Sequence, residues 1–214
     1  MVETGPRDSS RQRRRARIED TALELFGTRG FDRVTVTEVC AEAGVAPATF
    51  YRHFGSKEQV VFAYEDDFRA ALTRALEAGA QVPEQARLAV VVHDFAAFLD
   101  SQQDVLALRD RIVVGNPRLL QRTLLLQREL EGILATGLAR LRGEPAPDAT
   151  ALLEAGVGFL VLRLAVRSWR TGTGRSLLAG TQQTLADLKV VVAGAQGAVV
   201  SQMAVREGAA VHVP

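Results

Sequence analysis

The chain has 214 residues, 47% hydrophobic and 24% charged, which is enough apolar material for a packed core in one large or two small domains. A net charge of +1 singles out no partner, so any nucleic-acid reading must rest on where the basic residues lie. The single cysteine, Cys40, excludes an internal disulfide and fits a reducing cytoplasm; no apolar leader opens the chain, and no apolar run reaches the ~18 charge-free residues of a membrane span.

Residues 1–10 are polar, contain Gly and Pro, and read as a flexible lead. From residue 11, Ile18, Ala22, Leu25 and Phe26 recur at helical spacing, and Gly30 stands where a C-terminal cap is expected. Thr35, with Glu38 three residues later, forms a capping box that starts a second helix, and Gly44 stops it. Pro47 suits the first turn of a third helix, which Phe54-Gly55 ends. Ser56 and Gln59 form another capping box and open a longer helix to about residue 78.

After residues 79–82 the pattern changes. An amphipathic helix over 83–100 places Leu88, Val92, Phe95 and Leu99 on one face. Helices follow over 103–114, 117–141, 148–170 and 177–200, divided by Gly115-Asn116-Pro117, by residues 143–147 and by residues 171–174. No strand pair and no tandem repeat is found, and residues 201–214 read as a flexible tail. The prediction is an all-α chain of about nine helices.

The second and third helices carry the information. They are short and cross around a glycine turn, the arrangement of a helix-turn-helix. Gly44 supplies the left-handed turn, and Cys40 is small where the two helices approach. Val39, Val45, Phe50 and Phe54 are expected to pack against Leu25 and Phe26, leaving Thr49, Tyr51, Arg52 and His53 facing outward. A two-turn helix held by its neighbours suits insertion into a major groove.

Residues 22–60, ALELFGTRGFDRVTVTEVCAEAGVAPATFYRHFGSKEQV, resemble the N-terminal signature of the tetracycline-repressor (TetR) family of transcriptional regulators. The match lies in the Leu-Phe and Gly-Phe that end the first helix, the Thr start of the second, "AGV", "TFYRHF" and the closing Ser-Lys. It covers about a fifth of the chain. One residue departs: family members often carry Ser at Ala46, where its side chain caps the recognition helix, a loss of typically ~1 kcal/mol that Pro47 offsets in part.

The resemblance implies a DNA-binding domain over 11–57 and a helical ligand-binding and dimerisation domain over 58–200. Thr35 would bond a phosphate, Pro47, Ala48 and Thr49 would face base edges, and Tyr51 and His53 would contact phosphates. Arg52 would reach a guanine or the backbone. Lys57 would grip phosphate as a point charge. Arg14 and Arg15, within the cluster at 11, 13, 14, 15 and 17, would reach the backbone or a flanking minor groove, although such a run by itself also reads as a solvated tail. His53 has no second ligand at metal-binding spacing, His93 and His212 being far away, and no metal, cofactor or catalytic residue is implied.

In the rear half, the helix over 148–170 is apolar on more than one face, and with 175–200 it is expected to form an isologous four-helix dimer interface, Gly156, Gly158, Gly194, Ala195, Gly197 and Ala198 permitting close approach. Phe62, Phe95, Phe98 and Phe159 line either an apolar ligand cavity or plain core. Arg163 is a candidate to meet an anionic ligand, to pair with a buried acid or to snorkel to the surface, and Arg109, Arg111 and Arg122 could serve similarly. Residues 109–143 resemble the rear domains of regulators that sense acyl-CoA or fatty-acyl ligands.

These readings together predict a cytoplasmic, homodimeric, ligand-responsive regulator of a double-stranded DNA operator. It is expected to be a repressor released from a palindromic site by a small, mainly apolar molecule, acyl-type ligands included, with no membrane partner. The competing classes are a helical enzyme and a helical scaffold. Against the enzyme, no Ser-His-acid order, metal cluster or phosphate loop appears, and His93-Asp94 alone is too little.

Overall fold

The computed structural model describes residues 6–172 and 176–209, with side chains described over 10–172 and 176–194. Every described element is helical: α1 Pro6–Arg29, a 3-10 turn Phe31–Arg33, α2 Val36–Ala43, α3 Pro47–Phe54, α4 Lys57–Val61, α5 Glu65–Gly79, α6 Glu84–Ser101, α7 Gln103–Val114, α8 Pro117–Leu141, α9 Ala149–Arg170 and α10 Leu177–Ala209. Counting α4 and α5 together, as the sequence predicts them, makes nine helices among the described residues.

Local signals account for most boundaries. Thr35 caps α2 with the full reciprocal box, Asp148 Oδ1 accepts the Ala151 N–H at 2.8 Å to start α9, and Ser56 accepts the Gln59 N–H at 3.3 Å to start α4. Two ends differ from the prediction. The first helix begins at Pro6 rather than near residue 11, because proline is tolerated in a first turn and the arginines beyond it are good helix formers. The last helix runs on to Ala209, where residues 201–209 contain no proline to stop it.

The third difference is a break. The helix predicted to run from Ser56 to about residue 78 stops at Val61, turns through Phe62–Tyr64 and restarts at Glu65. Phe62 is buried in a front core with Ile18, Phe26, Phe50 and Phe54, whereas Ala71, Leu72 and Ala75 are buried in a rear core. The turn lets the chain serve both.

The front core is built by α1–α4 and completed by Ile112 and Val113 of α7 and Leu119 of α8. The rear core draws on α5, α6, α8, α9 and the start of α10. Glycines allow two close approaches there. A β-carbon at Gly137 would meet Leu76 of α5 at 2.4 Å, and one at Gly158 would meet Val92 of α6 at 3.0 Å. Among the described residues, α9 is the one helix long and apolar enough to cross a membrane, with a mean hydropathy of 1.8. Helices α6, α8 and α10 pack against it and account for part of that composition, 39% of the apolar window being buried.

Candidate nucleic-acid interface

Phe50 and Phe54 are 0% and 3% exposed, so α3 is fastened to the front core by one face. Phe50 lies 5.8 Å from Phe54, and the two rings anchor both turns of the helix. Gly44, at φ 64° and ψ 42°, makes the left-handed turn into it. Ala46 gives α3 no side-chain cap and Pro47 opens it, as the sequence indicates. The opposite face carries Tyr51, 53% exposed, and exposed Arg52, while Pro47 and Ala48 are exposed at the N-terminus and Thr49 is half-buried. A rigid helix with small residues at its start and a phenol and a guanidinium along its outer face has the shape of a groove reader.

The arginines of α1 come to this helix from the side. The Arg15 guanidinium lies 5.4 Å from the Phe54 ring, and its Nη2 donates to the Ala63 carbonyl at 3.4 Å. A β-carbon at Gly44, in the turn before α3, would stand 3.4 Å from Arg17 Nη2, so Arg17 lies by the approach to α3 and Arg15 by Phe54 at its end. Arg14 is exposed beside them. Burial first, and then the positive charges of Arg11, Arg52, Arg14 and Arg15, hold the His53 imidazole below its ordinary range, so it is neutral at physiological pH. The basic residues of two separate segments therefore form one patch.

Thr35 and Lys57, the other two residues expected at phosphates, already have partners. The Thr35 N–H and hydroxyl both donate to Glu38 Oε2 at 2.7 Å, and these bonds pull the Glu38 carboxyl below the usual carboxylate range. A phosphate reaching the Thr35 donors must displace that carboxylate. Lys57 Nζ donates to the Phe31 carbonyl at 2.9 Å and the Val34 carbonyl at 3.2 Å, and stands 4.3 Å from the Phe31 ring centroid. It pins α4 to the turn before α2 and retains one N–H donor.

The six residues singled out for ligand binding are not brought together. Phe62 belongs to the front core; Phe95 and Phe159 are buried in the rear core, with Phe98 half-buried beside Phe95 at 6.3 Å between centroids. Arg163 is exposed, one helical turn beyond Phe159 on α9. Arg109 is 3% exposed and bonded to the protein itself: to the Val60 carbonyl at 3.0 Å, to the Val61 carbonyl and to Glu19. Two surface crevices, of about 390 Å³ beside Phe31, Arg111 and Asn116 and about 360 Å³ beside Gly132 and Leu152, do not touch Phe95, Phe98 or Phe159. Among the described residues no three His, Cys, Asp or Glu side chains gather as metal ligands; His212 lies outside them.

Sequence reasoning passed over Glu19, Asp32 and Asn116. The Asn116 side chain caps α8, accepting from the Arg118 N–H at 3.0 Å, while its Nδ2 donates to both Asp32 carboxylate oxygens at 3.1 and 3.2 Å. The Asn-Pro pair is a helix-start signal that was legible; its partner 84 residues away was not.

Comparison with known proteins agrees with this geometry. Residues 18–64 match the family described as bacterial regulatory proteins, tetR family. Over 151 residues the chain is 33% identical to the HTH-type transcriptional regulator TcmR of Streptomyces glaucescens, covering 67% of each. It is 32% identical over 97 residues to the regulator BetI of Brucella canis, covering 44% of this chain and 49% of BetI, so it spans about half the length of that relative. The fold is shared with FadR of Bacillus subtilis, solved in complex with stearoyl-CoA (TM-score 0.57, 21% identity, 80% of this chain and 95% of FadR). It is shared also with a transcriptional regulator of Aquifex aeolicus (TM-score 0.56, 16% identity, 83% and 99%). The signature helices, the basic patch around α3 and the extent of the match to TcmR lead to one conclusion: the chain belongs to the TetR family of DNA-binding transcriptional regulators, a family of regulators and not of enzymes.

Proposed function

We propose that this protein is a cytoplasmic homodimeric repressor that leaves a palindromic operator when a small, mainly apolar molecule enters its rear bundle. The observation that carries the reading is α3 itself, fastened by Phe50 and Phe54 and flanked by Arg15 and Arg17. In this reading Pro47, Ala48 and Thr49 meet base edges, and Tyr51, Arg52, His53, Arg14 and Arg15 meet the backbone. Thr35 and Lys57 set the depth of insertion.

One two-turn helix buries too little to bind tightly, which favours two copies. Leu153, Leu160 and Leu164 lie exposed at helical spacing on α9, and Val190, Val191 and Val192 lie exposed on α10. An isologous pairing of α9 and α10 with their copies covers apolar residues of both helices and sets two recognition helices on one side. Ala195, Gly197 and Ala198, expected at the same interface, lie beyond the residues whose side chains are described.

For the effector, the rear core offers Phe95, Phe98 and Phe159, and the fold-level neighbour FadR holds an acyl-CoA, which supports an acyl-type molecule. Domains 11–57 and 58–200 are the corresponding division of labour.

The test is a mobility-shift titration with the gene's own upstream region at several salt concentrations. Sequence-specific binding with a steep salt slope is expected, and Tyr51→Ala with Arg52→Ala should weaken binding to the operator and to competitor DNA alike and make the salt slope shallower, without lowering thermal stability. Unchanged binding by that double variant would overturn the assignment of α3.

A further inference from the structure

Arg109 is the one arginine placed in the core among the described residues, and the DNA interface does not use it. It sits on α7 at the seam between the front and rear cores. Its Nη1 donates to the carbonyls of Val60 and Val61, the last two residues of α4, where the helix breaks; the Val60 carbonyl also accepts from the Ala63 N–H at 3.3 Å. Its Nη2 donates to Glu19 on α1, and its guanidinium lies 4.9 Å from the centroid of Tyr64, in the turn between α4 and α5. One planar group thus touches α1, α4 and the turn at once, a geometry a lysine cannot reproduce.

The same turn reaches the DNA side, since the Ala63 carbonyl accepts from Arg15. Helix α7 itself reaches the far end of the rear bundle, because Asp110, next to Arg109, pairs with Arg170 in the last turn of α9. The Arg109 Nε, buried, has no acceptor, so the group is held there at a cost.

We infer that Arg109 is a positioning residue for DNA binding: by holding the C-terminal carbonyls of α4 together with Glu19, it keeps α4 and α5 as two helices and transmits the position of α7 to the recognition unit. Without the guanidinium, α4 and α5 lose the fixed angle between them, and in a dimer the separation of the two recognition helices is no longer set. The DNA consequence rests on the family's DNA-binding role; the mechanical one does not.

The experiment uses the full chain and two conservative variants, Arg109→Lys and Glu19→Gln. Hydrogen exchange of amides 58–65 is expected to speed up at least tenfold in both, with the α8 and α9 amides unchanged. A duplex selected by the wild-type chain from a random library is then compared with versions carrying one base pair added or removed at its centre. The wild type should discriminate among them by tenfold or more and the variants by less than threefold, with equal affinity for non-specific duplex. Unchanged exchange at 58–65 in Arg109→Lys overturns the inference whether or not the chain binds DNA. Faster exchange with wild-type spacing discrimination also overturns the positioning role. A wild-type chain that selects no duplex condemns the regulator reading, while the exchange result still decides the hold on α4.

Discussion

Lys57 and Phe31 meet at the base of the recognition unit: the ammonium donates to the Phe31 carbonyl at 2.9 Å and stands 4.3 Å from the centre of its ring. With the Val34 carbonyl at 3.2 Å, this fixes α4 against the turn that launches α2. Lys57→Met keeps the stem and removes the charge. It should lower unfolding free energy by about 2 kcal/mol, as expected for charged hydrogen bonds and a cation–π contact, and weaken DNA binding as well. Chemical denaturation checks the first effect; a stability equal to wild type would mean that Lys57 serves DNA alone.

His53 is held below its ordinary pKa in the free protein by burial and by its arginine neighbours. A phosphate beside it in the complex raises that pKa. Protonation therefore adds affinity that is fully present below the free-protein pKa and is lost as pH rises through the pKa of the complex. Operator affinity should rise as pH falls from about 8 to about 5, by at most about tenfold per pH unit, and His53→Gln should flatten the profile. An unaltered profile in His53→Gln would assign the proton to another group.

Gly137 of α8 faces Leu76 of α5 so closely that a β-carbon would lie 2.4 and 2.6 Å from its two methyl groups. Gly137→Ala improves helix propensity but must push Leu76 aside in the rear core. The net effect should be a destabilisation of roughly 1–3 kcal/mol, measured by thermal unfolding. Pairing it with Leu76→Ala should recover part of the Gly137→Ala penalty relative to additive losses.

Leu160 and Leu164 are exposed one turn apart on α9. If α9 and α10 form the dimer face, Leu160→Glu with Leu164→Glu buries four like charges across the two-fold axis. Sedimentation equilibrium should then report a monomer that keeps its helical content, and operator affinity should fall at least a hundredfold. A stable dimer of the double variant would place the interface elsewhere.

The front helices were legible because their signals are short-range. Thr35 and Glu38, Gly44, Pro47 and Gly55 each act on backbone within a few residues, so the capping box, the left-handed turn and both ends of α3 follow from reading along the chain. The burial of Phe50 and Phe54 with Tyr51 outward follows from helical period alone. The break between α4 and α5 was not legible, because nothing at 62–64 disfavours helix. It is imposed by Phe62 going to one core and Leu72 to another.

Charged residues were the least legible of all. Arg163, set in an apolar helix, is exposed, the snorkelling alternative among its three readings, whereas Arg109 is buried and paired with an acid 90 positions earlier, and nothing local chooses between those outcomes. The sequence by itself determined the helical fold, the helix-turn-helix and the family, since these depend on local caps, glycines and apolar period. Only the tertiary structure decided how the arginines of α1 gather around α3, what Lys57 and Arg109 hold, and where α4 ends. Those outcomes depend on groups from helices far apart in the chain, and no local preference specifies which charge finds which carbonyl.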